Sequence, residues 1–222
     1  MSVTLSVGIE ASRLPHVETD VLVAPFFADD RPLRGPAAWA DWRLCGLLDD
    51  ALAAGRLPSG LGEATLAPSA GRLAAQRLLL ISLGPRAALG FAELRAAATR
   101  SAERLAELRA GDVAFAVPGQ ALTGIVPELA AELVVEAFAE ALARTPRALR
   151  LRLVLAEGDA APALSALRAL PGELAGGAVT LRIERAIEAR QPAPPGRKPP
   201  PRPPSARPIR PATSVTPRGT TK

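Results

Sequence analysis

The chain has 222 residues, 48% of them hydrophobic and 22% charged, enough to bury one good-sized core. Its formal charge of +5 is unevenly spread: residues 189–222 hold six arginines, two lysines and no acid, which leaves 19 basic against 22 acidic side chains in residues 1–188. The basic pI therefore belongs to the C-terminal segment, and any nucleic-acid or anionic-surface contact is confined to those last 34 residues.

A single cysteine, Cys45, excludes an internal disulfide and fits a reducing compartment. The start, Met1-Ser2-Val3-Thr4, lacks a basic region followed by an apolar one, and no run approaches the ~18 apolar residues needed to span a bilayer. These features predict a soluble cytoplasmic protein.

Val3 to Ile9 alternates Val3, Leu5, Val7 and Ile9 with Thr4, Ser6 and Gly8, which predicts a strand with one less buried face at a sheet edge. Asp20 to Phe26 carries the unbroken run Val21-Leu22-Val23-Ala24, a fully buried strand that Pro25 ends or bends. Gly35-Pro36 opens a helix, because proline suits a first turn whose N–H would have no partner. The helix is expected from Pro36 to Ala54, with Ala38, Trp42, Cys45, Leu48 and Leu52 inward, Asp41, Arg43, Asp49 and Asp50 outward, and Gly55 as its cap. Cys45 is thus expected as a small buried side chain and not a nucleophile, since the one histidine, His16, sits in a distant loop. His16 alone reads as a surface residue and not as a metal ligand.

Glu63 to Pro68 reads as a short strand. The Gly60-Leu61-Gly62 pair before it resembles a dinucleotide fingerprint but lacks the third glycine and precedes a strand instead of opening a helix. Leu78-Leu79-Leu80-Ile81-Ser82-Leu83 then runs without polar alternation, as a strand covered on both faces does. Full burial of Leu78, Leu80, Ile81 and Leu83 would contribute about 1.5–3 kcal/mol each, which makes this run the centre of the core. Past Gly84-Pro85, Phe91, Leu94, Ala98, Ala102, Leu105 and Leu108 mark the buried stripe of a long helix.

Asp112 to Val117 is another buried strand, followed by a helix from about Gly124 to Arg144 with Ile125, Leu129, Leu133, Val135, Phe138 and Leu142 apolar. Along it Glu128, Glu132, Glu136 and Glu140 repeat every four residues, a row that drifts by ~40° per step and reads as a wet acidic face, with no histidine or aspartate beside it to suggest a metal site. Arg150 to Leu155 gives a last core strand, Ala161 to Leu170 a short helix, and Val179 to Ile183 an edge strand. Strands alternating with helices predict an α/β three-layer sandwich around a mixed, largely parallel sheet, over residues 1–188.

From Gln191 the composition changes. Eleven of the 23 prolines fall between Pro192 and Pro217 among almost no large apolar residues, so residues 189–222 are expected to be a disordered, partly polyproline II tail. Its stretch Pro199 to Pro204 has the form that docks in aromatic-lined grooves, and its +8 would attract phosphates or anionic lipid; a spacer or solubilising role is the expected one.

Several short motifs, in order, resemble the N-terminal, non-catalytic domain of the leucyl aminopeptidase (cytosol aminopeptidase) family. They are Asp20-Val21-Leu22-Val23, Leu33-Arg34-Gly35-Pro36, Asp41-x-x-Leu44-x-Gly46-x-Leu48, Gly62-Glu63, and Arg77-Leu78-Leu79-Leu80-Ile81-Ser82-Leu83-Gly84. The resemblance runs over about Val3 to Glu157 and more weakly to Glu188; Ser82 stands where such domains commonly have glycine. It implies a macro-domain-like α/β fold, and in full-length members a second domain holding two divalent metals on a lysine, aspartates and a glutamate, some in an Asn-Thr-Asp-Ala-Glu-Gly-Arg motif. Residues 1–188 contain no lysine and no such motif. No catalytic, cofactor-binding or metal-binding residue is therefore carried over, and no cofactor is expected.

The expected function is accordingly that of a non-catalytic domain acting as a protein interaction or regulatory module, with a protein partner expected and self-association left open. Two alternatives remain: a macro-like binder of nucleotides such as ADP-ribose, through the loops Gly84 to Gly90 and Pro118 to Gly124, or the non-catalytic part of an aminopeptidase whose catalytic half lies on another chain.

Overall fold

The computed structural model describes residues 2–11, 14–184 and 187–188; the expected tail lies outside these residues. Among the described residues nine strands form one sheet: β1 (Val3–Ala11), β2 (Val21–Phe26), β3 (Ala64–Pro68), β4 (Arg77–Ser82), β5 (Asp112–Ala116), β6 (Leu149–Val154), β7 (Glu173–Leu174), β8 (Val179–Ile183) and β9 (Ile187–Glu188). Their order is β3-β4-β2-β5-β6-β1-β8-β7, with β9 also paired to β1. All pairs are parallel except β3 with β4 and β7 with β8. The expected mixed, largely parallel α/β sandwich is what forms.

The helices are α1 (Gly35–Arg43), α2 (Leu47–Ala53), α3 (Phe91–Glu107), α4 (Gln120–Thr123), α5 (Pro127–Arg144) and α6 (Glu157–Ala169). On one face α3, α5 and α6 pack over Leu5, Val7, Ile9, Val23, Ile81, Phe115, Leu151 and Leu153. On the other, α1 and α2 cover Leu22, Ala24, Phe26, Leu78, Leu80 and Ala114. Leu78, Leu80, Ile81 and Leu83 are at most 1% exposed, so β4 is the doubly covered strand that its unbroken apolar run predicts.

Two strands sit elsewhere than expected. β1 lies inside the sheet, between β6 and β8, and not at an edge. Its alternation has a different cause: α1 and α2 cover the β2 and β4 half of their face, and stop short of β1, β6 and β8. There Thr4, Arg150, Thr180 and Arg182 meet solvent. β8 is next to the edge, because the two-residue β7 pairs outside it.

The helix expected from Pro36 to Ala54 is two helices. Cys45 and Gly46 both take positive φ, 60° and 85°, which ends α1 and lets α2 start along a new axis. Asp41 turns inward to cap that start: its Oδ1 accepts the N–H groups of Leu48, at 2.7 Å, and Asp49, at 3.2 Å. The break resets the helical phase, so the buried stripe is not the expected one. Asp41 is buried, whereas Trp42 is 68% exposed and Cys45 lies at the surface with Arg72 Nη1 2.5 Å from its Sγ. Leu48 and Leu52 are buried as expected.

Smaller departures have equally local causes. Phe91, expected inward, is 56% exposed because it is the first residue of α3. The helix expected from Gly124 is preceded by the short α4 and starts at Pro127. The glutamate row of α5 is not simply wet, since Arg95 of α3 reaches Glu136 at 3.2 Å and also pairs with Glu140. His16 is exposed, on a short 3-10 turn.

Candidate functional site

In an open α/β sheet, ligands lie beyond the carboxyl ends of the strands, where neighbouring connections leave to opposite faces. Here that point falls between β2 and β5. The chain leaves β2 toward α1 on one face, and leaves β5 through α4 toward α5 on the other. Three loops meet there: residues 27–34 after β2, 83–90 after β4 and 117–126 after β5.

Arg86 crosses the gap. Its Nη2 donates to Asp30 Oδ1 at 2.5 Å, its Nη1 donates to the Leu122 carbonyl at 2.8 Å, and its guanidinium carbon lies 4.1 Å from the centre of the Phe27 ring. The backbone N–H of Arg86 donates to Asp29 Oδ1 at 3.0 Å. Asp30 is 4% exposed, and its Oδ2 has no hydrogen-bond partner. Below these groups, Leu122 packs so tightly on Gly35 that a Cβ at Gly35 would overlap Leu122 Cδ1. The two loops singled out in the sequence, Gly84 to Gly90 and Pro118 to Gly124, are thus brought together. They are joined by a side chain and not by an open cradle of backbone N–H groups.

Two helix starts near the gap offer fewer free N–H groups. At α3 the Gly90 N–H donates to Glu93 Oε2 at 2.9 Å, which places a carboxylate where a phosphate would need donors. α5 begins with Pro127, which has no N–H to offer. Ser82, at the end of β4, is buried and satisfied: its Oγ donates to the Ser59 carbonyl at 3.0 Å and accepts the Gly84 N–H at 3.1 Å. Gly60, Gly62 and Glu63 form a tight turn, in which the Gly60 N–H donates to Glu63 Oε2 at 2.7 Å, and not a dinucleotide loop.

A second charged cluster lies on the β5-β6-β1 part of the sheet. Arg152, 7% exposed, reaches Glu10 Oε2 at 3.1 Å and Asp112 Oδ2 at 3.0 Å, and also bonds the Glu18 carbonyl. With each nitrogen of its guanidinium engaged, it clamps three strands together. The periodicity of the sequence did not single out Arg86, Asp30 or Arg152. The only sign in the sequence was a charged residue inside or just past an apolar run, as Arg152 is within Leu151 to Val154. Among the described residues, no group of three or more His, Cys, Asp and Glu side chains is placed to hold a metal ion, and no helix is long and apolar enough to cross a membrane.

Comparison with known proteins bears on the fold and the family. The chain resembles the Oceanobacillus iheyensis macrodomain with ADP, at TM-score 0.59 and 15% identity over 71% of this chain and 87% of that one. It is similar to the Trypanosoma brucei macrodomain in complex with ADP-ribose, at TM-score 0.59 and 13% identity over 71% and 67%. The macrodomain of Mycobacterium tuberculosis DarG gives TM-score 0.52 and 16% identity over 66% and 96%. At such identities the likeness is one of fold, and the expected macro-domain-like architecture is present. No curated protein sequence matches the chain. Residues 23–148 match the model of the cytosol aminopeptidase family, N-terminal domain, a span that runs from within β2 through α5 and holds all three loops of the crevice, and by that match the chain belongs to the cytosol aminopeptidase family through its N-terminal domain.

Proposed function

We propose that this chain is a cytoplasmic, non-catalytic module that acts by binding a protein partner. The observation that carries the reading is the crevice between β2 and β5. Its Arg86 is committed to Asp30 and Leu122, and the N–H groups of Arg86 and Gly90 are committed to Asp29 and Glu93. Peptide hydrolysis of the family type needs metal ligands around an open coordination position. Nothing in residues 1–188 supplies the lysine that the resemblance calls for. The module would therefore work by contact. Purified protein incubated with leucyl-p-nitroanilide and added manganese or zinc should release no product above a heat-killed control, and clear turnover would overturn the reading.

A nucleotide-binding reading draws support from two fold neighbours, which carry ADP and ADP-ribose. Against it stand the contacts already made at the crevice: Arg86 is paired with Asp30, and the Arg86 and Gly90 N–H groups are taken by Asp29 and Glu93. Calorimetry with ADP-ribose decides between the two, and a saturable heat would favour nucleotide binding.

A further inference from the structure

The crevice between β2 and β5 contains what a guanidinium needs, and Arg86 already uses it. A flat aromatic face attracts a delocalised cation, a carboxylate accepts charge-assisted hydrogen bonds, and a carbonyl takes another arm of the planar fork. Phe27, Asp30 and Leu122 supply these three from two different loops. The fit of Arg86 is nonetheless incomplete. It spends Nη1 on the Leu122 carbonyl and so meets only one oxygen of Asp30, leaving Oδ2 buried without a partner. A guanidinium arriving in another orientation could take both oxygens, the bidentate pairing for which arginine is suited.

Access is consistent with exchange. The Arg86 side chain is 30% exposed and that of Asp30 only 3%, so the cation sits at the mouth and the acceptor at the floor. The segment carrying Arg86 lies between Gly84, at φ +71°, and Gly90. Of its residues, Pro85, Ala87 and Ala88 are exposed and only Leu89 packs against the core, so one apolar side chain holds the segment down.

We propose that this crevice is a receptor for an arginine side chain of a protein partner, occupied in the free protein by Arg86 until the partner's arginine displaces it. The proposal rests on the interaction-module reading and names the chemistry of the partner. Lysine fits less well, because a compact ammonium cannot lie flat on Phe27 while addressing Asp30 and Leu122 together. The buried, unpartnered Oδ2 of Asp30 suits a cation and not an anion.

The test uses the full chain as wild type, Arg86→Ala and Arg86→Ala/Asp30→Asn, titrated by calorimetry with N-acetylarginine amide, N-acetyllysine amide and ADP. Emptying the site should make Arg86→Ala bind the arginine compound at least tenfold more tightly than wild type does, and at least tenfold more tightly than it binds the lysine compound. Adding Asp30→Asn should abolish that binding. If a folded Arg86→Ala binds no arginine compound, or binds it equally well with Asn at 30, or takes ADP instead, the proposal is overturned. Should Arg86→Ala not fold, Arg86→Gln removes the cation while keeping most of the side chain, and the same criteria apply. Hydrolysis of leucyl-p-nitroanilide would sink the non-catalytic reading while leaving the arginine titration to stand or fall by itself.

Discussion

Asp41 Oδ1 accepts the backbone N–H of Leu48 at 2.7 Å, so a residue of one helix caps the next. That bond explains why an aspartate is buried on the helix pair while a tryptophan beside it is not. Asp41→Ala should cost about 1–2 kcal/mol by removing the cap, and Asp41→Asn should recover most of it. Urea denaturation followed by circular dichroism measures both. Equal stability of all three proteins would contradict the two-helix arrangement.

The exposure of Trp39 and Trp42, 53% and 68%, gives a second check on the same break. They are the only two tryptophans in the chain, and their rings meet edge to face with centroids 6.4 Å apart. Acrylamide should quench the native fluorescence nearly as well as that of the unfolded chain. Trp42→Ala should change stability by no more than about 0.5 kcal/mol, where a core tryptophan would cost about 3–5 kcal/mol.

Gly35 has φ +57° and lies against Leu122. Gly35→Ala adds both left-handed strain and overlap, for a loss of about 1–2 kcal/mol or more. The overlap is specific to one neighbour. In a double-mutant cycle with Leu122→Ala the two losses should therefore fall short of additivity, and strict additivity would show that only the backbone term matters.

Arg152 is the cation that holds β6 to Glu10 of β1 and Asp112 of β5. Removing one member of a buried ionic set costs about 3–5 kcal/mol. Arg152→Met keeps the aliphatic stem but not the charge, and should lower the urea midpoint strongly. The exposed pair Arg104 with Glu107 offers the contrast, since Arg104→Ala should cost about 1 kcal/mol at most.

Leu80 is fully buried on the face under α1 and α2. Leu80→Ala should lose about 2–5 kcal/mol through lost burial and the cavity left behind. A loss under about 1 kcal/mol would mean that the α1 and α2 layer is loosely packed.

Residue types and their spacing were enough to identify β2, β4, β5 and β6 and the buried stripes of α3 and α5, because unbroken apolar runs and three- to four-residue periods are local properties of the chain. The family, too, was legible in Leu33-Arg34-Gly35-Pro36 and in the run ending at Gly84. The features that folding alone decided are relational. A period cannot show that Cys45 and Gly46 reset the phase of a helix, since that depends on backbone angles and on Asp41 finding Leu48. Nor can alternation in β1 tell a sheet edge from a central strand whose cover stops short. The crevice is the extreme case: the loops carrying Phe27 and Asp30, Arg86, and Leu122 are far apart in sequence and meet only because parallel strands carry them to the same end of the sheet.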